Sequence, residues 1–339
     1  MKMNVISKKI TLCLFLITIL LMMSLSVVAA EYVIKYAGTP AASMDNPEYL
    51  AMVQFKEIVE EKSNGNIVVE IYPANQLGAT KEFTEGVALG TIEMAEVGYD
   101  ILGLLDPICY TLTLPYLHST LEHYIAVLDG PIGEEINQHL IGATNVRILG
   151  ALNRGPRQMM NGVKPIRTPE DLKGLKIRSP ENPLNAGTVR SMGATPVPMT
   201  WSEVYTALSQ GVVDGVENAI DELYNQNLHE VQKYLSLTRH IFVAVPIIIN
   251  ESFYQGLPVE YQKIVSDAAA ETVLNRRESL KTSEGKALDD MKKSGIEVIT
   301  DPDIDAFSKG ATDVWEEFVG QYEEITWDLI NRIKDYKSD

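Results

Sequence analysis

Residues 164–178 read KPIRTPEDLKGLKIR. Thr168 stands where a helix N-cap is needed, Pro169 suits the first helical position, and Glu170 and Asp171 meet the positive end of the helix dipole. Gly174 closes that short helix, and Lys176–Arg178 leaves as a strand. A helix that feeds directly into a strand through a single glycine is the joint of an α/β architecture.

The same grammar recurs on both sides. Downstream, Thr200 and Glu203 form a capping box around Trp201 and Ser202, with Val204 and Leu208 one turn apart on a buried face, which puts Trp201 at a helix entrance. Upstream, Glu31–Ala37 alternates like a short strand. Asn46, Pro47 and Glu48 open a helix whose Met52, Phe55 and Val59 share a face, and Asn64 with Gly65 ends it. Ile67–Tyr72 reads as a β-branched strand, Thr80–Leu89 as a helix, Ile92–Val97 as a strand and Val146–Leu152 as another. Farther on, Arg239–Asn250 reads as an apolar strand. Pro258 to about Lys293 reads as a long helix with Ile264, Ala268 and Leu274 spaced for burial, and Ile304–Tyr336 as a last amphipathic helix. Strands alternating with helices predict largely parallel sheets, and the absence of any obvious linker predicts interwoven domains.

The 339 residues suffice for about two domains, with 45% apolar and 22% charged residues. Lys2, Lys8 and Lys9 precede an apolar stretch from Ile10 to Val28 and a small-residue stop at Ala29 and Ala30, the plan of a secretory signal peptide cleaved near Ala30. The competing reading is an uncleaved membrane anchor. Export leaves Cys109 as the only cysteine, so packing rather than a disulfide must hold the chain together. Losing those three lysines takes the formal charge from −17 to −20, which argues against nucleic acid or an anionic membrane as partner. An anionic ligand would therefore need arginines that focus a local positive field inside a cleft.

Catalytic and metal-binding patterns are missing: there is no G-x-S-x-G, H-E-x-x-H or C-x-x-C, no phosphate loop, and no pair of histidines at i, i+4 among His118, His123, His139, His229 and His240. Asp301, Asp303 and Asp305 imitate the start of a calcium loop, but Ala306 replaces its glycine and Thr312 its terminal acid. Acids that precede and cap the final helix fit better. No cofactor, metal or catalytic residue is expected.

Three stretches together, KPIRTPEDLKGLKIR, GATPVPMTWSEVYTAL from Gly193 and GVVDGVEN from Gly211, resemble the solute receptors of tripartite ATP-independent periplasmic (TRAP) transporters. NGNIVVEIYPANQLG, LPYLHSTLEHYIAVLDG and LTRH followed by LPVEYQKI extend the resemblance over nearly all of the exported chain. It implies a periplasmic-binding-protein-like fold, two α/β lobes around a ligand cleft with long bracing helices. The lobes would comprise residues 31–153 with about 244–283 and 154–243 with about 284–303, with a C-terminal helix over 304–339 bracing both. It also implies an extracytoplasmic receptor that hands a small organic acid to a membrane permease, as a monomer or as a dimer formed through that last helix.

By the same resemblance Arg178 is the carboxylate anchor. Taken alone, an arginine at a strand end beside Ser179 and Pro180 more often makes a surface ion pair. Arg157 in NRGPRQMMN matches a second ligand-reaching arginine, with Arg154 as its rival. Asn218 matches an asparagine that hydrogen-bonds the carboxylate, although Ala219 replaces the family's usual proline. Trp201 stands where relatives place an aromatic against the ligand, or is simply core. Glu217 reads as an acid that orients an arginine, and Thr39 and Tyr99 follow strand ends where ligands are met. The acid itself stays open, with sugar acids favoured over dicarboxylates, oxo acids and aromatic acids. A sensor using the same cleft is the alternative reading, and an enzyme is disfavoured by the missing catalytic patterns.

Overall fold

The computed structural model describes residues 30–337; the signal-peptide reading falls on residues outside that range. Ten strands form one continuous mixed sheet. β1 (Tyr32–Ala37) lies parallel to β2 (Ile67–Tyr72) and β3 (Met94–Glu96). β4 (Val146–Asn161) then leads to the second half, where β5 (Lys176–Ser179) runs parallel to both β6 (Thr195–Pro198) and β7 (Gly215–Ala219). β8 (Tyr234–Ser236) precedes β9 (Phe242–Asn250), and β10 (Glu297–Ile299) pairs with β8.

The parallel expectation holds on the flanks and fails in the middle. β9 is antiparallel to β3 and β4, and β4 is antiparallel to β7 and β8. β4 is also sixteen residues long, more than twice the span read from its apolar run. Its first part, up to Pro156, pairs with β9 in the first lobe, and Arg157–Asn161 pair with β7 in the second. An apolar-run criterion stops at Leu152 because Asn153, Arg157, Gln158 and Asn161 are polar. These side chains are nevertheless buried: Arg157 pairs with Glu217, Asn153 Oδ1 accepts from Arg277 Nε, Gln158 Oε1 accepts from Arg239 N–H, and Asn161 bonds the backbone of Val163 and Lys164.

The first helix is Pro47–Lys62, with the Asn46 side chain accepting from the N–H groups of Glu48 and Tyr49 at 3.0 and 3.4 Å. Met52, Phe55 and Val59 are fully buried against Ile34, Tyr36 and Ile67, each burial worth roughly 1.5–3 kcal/mol. Asn64 and Gly65 then take positive φ angles of 51° and 79°, which ends the helix.

The long helix runs from Val259 to Lys293. Val265, Ala268 and Val273 enter the first lobe's core, while Ala287 and Met291 enter the second's, so one rod packs on both lobes. Leu274, assigned above to the buried face, is 63% exposed. Six residues past Ala268 is about 600° of rotation, which turns the side chain away from Ala268's face. Thr272 and Arg276 occupy that face instead.

The C-terminal segment is three helices rather than one: Ile304–Ser308, Ala311–Gln321 and Trp327–Lys334. Gly310 packs so closely that a Cβ there would meet the Ser191 carbonyl oxygen at 2.6 Å. The Thr326 side chain caps the last helix by accepting from Leu329 N–H at 3.2 Å. The segment still bridges the lobes. Val314 packs with Leu184 of the second, and Phe318 makes an edge contact with Tyr110 of the first at 5.3 Å between ring centres. Asp303 caps the first of the three through Ala306 N–H at 2.9 Å, and Asp301 pairs with Arg167. No helix among the described residues is long and apolar enough to cross a membrane.

Candidate functional site

Between the lobes lies a cleft that opens to solvent. Thr39, Glu96 and Asp100 line it from the first lobe, Arg154 and Arg157 from β4, and Arg178, Trp201, Asn218 and Glu222 from the second. Of the six side chains singled out in the sequence, five thus converge on one cavity. Tyr99 does not. It starts the short helix Tyr99–Leu102 and turns into the core with Leu102, while its neighbours Gly98, Asp100 and Ile101 face the cleft.

Arg178 sits near the end of β5 and is 4% exposed. Among the described residues its hydrogen bonds go to the Met199 carbonyl alone, from Nε at 3.1 Å and Nη2 at 2.8 Å. Its guanidinium lies 5.2 Å from the centre of the Trp201 ring, a cation–π arrangement. The capping box fixes that ring: Thr200 Oγ1 donates to Glu203 Oε2 at 2.6 Å, and Thr200 N–H to the same oxygen at 3.1 Å. Burial pushes the Arg178 pKa down to about 10, with Glu217 and Asp100 pulling it back up and Arg157 adding to the fall. A desolvated guanidinium that holds only a carbonyl is short of an anion.

Arg157 differs sharply. Its Nε donates to Glu217 Oε2, and its Nη2 donates to Glu217 Oε1 and to the Glu217 carbonyl, both at 2.8 Å. Glu217 also meets His240 Nε2 at 3.1 Å, and His240 Nδ1 lies 2.9 Å from Thr238 Oγ1. Burial lowers the His240 pKa, and a carboxylate can only accept, so a neutral imidazole donates to Glu217 and accepts from Thr238. Burial alone would raise the Glu217 pKa, but the Arg157 charge and the His240 and Arg157 hydrogen bonds overcome it and take it down to about 2. Glu217 therefore holds an arginine, as its place in the sequence suggested.

Asn218 accepts from the Ala219 N–H at 2.9 Å through Oδ1, which leaves its amide N–H groups as what it can offer the cleft. Arg154, the rival of Arg157, also reaches the cavity but forms a two-point pair with buried Glu48. Asn182 Nδ2 donates to Asp100 Oδ2 at 3.1 Å, tying the second lobe to the first. Sequence reading passed over Asp100, Glu96 and Glu222. The one signal for Glu96 is an acid that ends an apolar strand.

A cleft between two α/β lobes, crossed by shared strands and floored by a buried arginine without a carboxylate partner, defines a solute receptor of the periplasmic-binding type. The model of the bacterial extracellular solute-binding proteins, family 7, matches residues 39–321. The chain belongs to that family, whose members serve TRAP transporters. It is 34% identical over 266 residues to the 2,3-diketo-L-gulonate-binding periplasmic protein of Escherichia coli (strain K12), covering 78% of this chain and 81% of that one. It is 31% identical over 278 residues to the C4-dicarboxylate-binding periplasmic protein of Rhodobacter capsulatus, covering 81% and 82%. The crystal structure of a TRAP periplasmic solute-binding protein from Sulfitobacter sp. NAS-14.1 with bound β-D-galacturonate matches with a TM-score of 0.86 at 29% identity, over 90% of this chain and 100% of that one.

Proposed function

We propose that this receptor seizes a small organic acid outside the cytoplasm by its carboxylate, on Arg178, and delivers it to a TRAP membrane permease without making or breaking a bond. The observation that carries the reading is the buried guanidinium of Arg178, which faces the cleft and spends its hydrogen bonds among the described residues on one carbonyl. A carboxylate matches the planar fork of donors that remains, and an enclosed site strengthens the pair relative to water. Asn218 adds a neutral donor, and the Trp201 face gives the carbon skeleton a wall. Arg157, held by Glu217, supplies its remaining N–H groups from a fixed position.

Closure about the crossing strands β4 and β9, near residues 153–154 and 243–244, traps the ligand, because contacts from both lobes favour the closed state over the open one. Both the uronate-bound relative and the dicarboxylate-binding relative support an acid as ligand. The test is a thermal-shift screen of the chain from Glu31, wild type and Arg178→Met, against organic acids and neutral sugars. An acid that raises the melting point of the wild type and not of the variant supports the reading; a neutral sugar that shifts both equally overturns it.

A further inference from the structure

The bond between Asn182 and Asp100 joins the lobes in a way that no continuous element does. Asp100 lines the cleft from the first lobe, and Asn182 follows Pro180 and Glu181, which line it from the second. Asn182 Nδ2 donates to Asp100 Oδ2 at 3.1 Å, and both residues are buried. The strands β4 and β9, the long helix and the C-terminal helices connect the lobes whether the cleft is open or shut. The Asn182–Asp100 bond links two surfaces that part when the lobes do, so it belongs to the shut state alone.

Both partners are held in place for it. Asn182 caps the helix Pro183–Ser191 by accepting from Asn185 N–H at 2.8 Å through Oδ1. That bond orients the amide: its oxygen faces the helix, so its NH2 group faces the first lobe. On the other side, Gly98 leaves the room that the carboxylate occupies, since a Cβ there would overlap Asp100 Oδ1. The pair also lies close to the anchor, because the Asp100 charge is one of those acting on Arg178. Burial raises the pKa of Asp100, and the charge of Arg157 works against that rise. A buried carboxylate that meets a fixed donor is the kind of hydrogen bond with the largest net effect.

From this geometry we infer that Asp100 and Asn182 form a clasp that shuts the cleft over Arg178 through the protein's own contacts, so that the empty receptor visits the shut state and release of a bound acid waits on this bond. They are positioning residues, acting on a ligand through the closure they favour. A clasp made by protein alone reduces the cost of closure by the same amount for every ligand, so it tightens all acids equally and leaves discrimination to the groups that touch them.

The inference rests on the closure described above and is tested without any ligand. Double electron–electron resonance on the chain from Glu31 reads the distance between nitroxides placed on Glu85→Cys and Thr206→Cys, exposed positions of the two lobes. Cys109 is buried and stays unlabelled. The labelled parent should show a shorter-distance component beside the main one. Asn182→Asp keeps an oxygen for the helix cap but sets two carboxylates against each other, and Asp100→Leu removes the acceptor without touching the cap. Each should lower the ratio of shut to open molecules on the order of tenfold, with melting temperatures near the parent's verifying the fold. Exchanging the pair, Asp100→Asn together with Asn182→Asp, moves the donor to position 100 and the acceptor to position 182 and should restore the shorter component, a rescue that a merely structural role for either residue does not produce. A parent without that component, single variants that leave it unchanged, or an exchanged protein no better than Asn182→Asp overturns the clasp. None of these outcomes bears on Arg178 as the carboxylate anchor, which stands or falls on the thermal shift with added acids.

Discussion

Replacing Arg178 by methionine should leave the stability of the empty protein nearly unchanged while destroying its function. The guanidinium is buried, and its pKa falls from 12.5 to about 10. At about 1.4 kcal/mol per unit, that is about 3 kcal/mol held against the charged form. Methionine fills similar apolar volume without charge, but it forfeits the two N–H bonds to Met199 and the contact with Trp201. Those three losses, at about 0.5–1.5 kcal/mol each, offset most or all of the gain. The net is close to zero, so the melting temperature of the empty variant should stay within roughly 2–4 °C of wild type for a chain of this size. Binding moves the opposite way, because truncating one partner of a desolvated charge pair costs about 2–5 kcal/mol, which leaves a micromolar ligand with a Kd from about 30 μM to several millimolar. Differential scanning calorimetry of both proteins, empty and with saturating ligand, reads both effects. A variant that melts several degrees lower when empty, or that keeps wild-type affinity, would refute the argument, since it would show that Arg178 serves the fold rather than an incoming anion.

Glu217→Gln should cost about 3–5 kcal/mol, because it leaves the Arg157 charge buried with no counterion; urea unfolding at neutral pH measures this. The folded pKa of Glu217 lies below its unfolded value, so its contribution is present above about pH 4.5 and is lost as pH falls toward 2. Wild type and variant should therefore converge across that window. Glu222 behaves in the opposite sense: its folded pKa is raised to about 7, so its favourable protonation is complete near pH 4.5 and is lost as pH rises through 7. The melting advantage of Glu222→Gln over wild type should accordingly grow from pH 5 to 7.5 and then level off. Asn182→Asp keeps an oxygen to cap the helix Pro183–Ser191 through Asn185 N–H but turns a carboxylate toward Asp100. Ligand affinity should drop about tenfold through faster release, measured by stopped-flow dissociation, with the melting point of the empty protein nearly unchanged.

What the sequence made legible was local punctuation. Asn46, Thr168 and Thr200 announce helix starts because a cap needs only residues within one turn, and each does cap or box its helix. Arg178 was legible through the motif around it. Hydrophobic patterning failed where polar residues are buried by pairing with distant partners. Arg157 finds Glu217 sixty residues away, and Arg154 finds Glu48 over a separation of 106. The second half of β4 was therefore missed, although its burial is as complete as that of the apolar half. Tyr99 was placed correctly after a strand end, but the direction of its ring depends on the short helix that follows. Glu96 and Glu222 carry no motif, and only the cavity brings them into one site.

Counting arginines in this sequence overstates the charge of the site. Arg157 and Arg154 line the cleft, yet each is matched by a buried acid, Glu217 and Glu48 respectively. Arg157 would therefore act on a ligand through geometry rather than charge, since it offers fixed N–H donors but little net field. Arg178 keeps its charge uncompensated because its neighbours at the strand end are a carbonyl and an indole. The chain's net charge of −17 hardly bears on capture, because surface charges are screened over about 8 Å at physiological salt while the anchor lies inside the cleft. Affinity should thus depend weakly on ionic strength and strongly on this one guanidinium, the reverse of a site that collects anions by overall attraction.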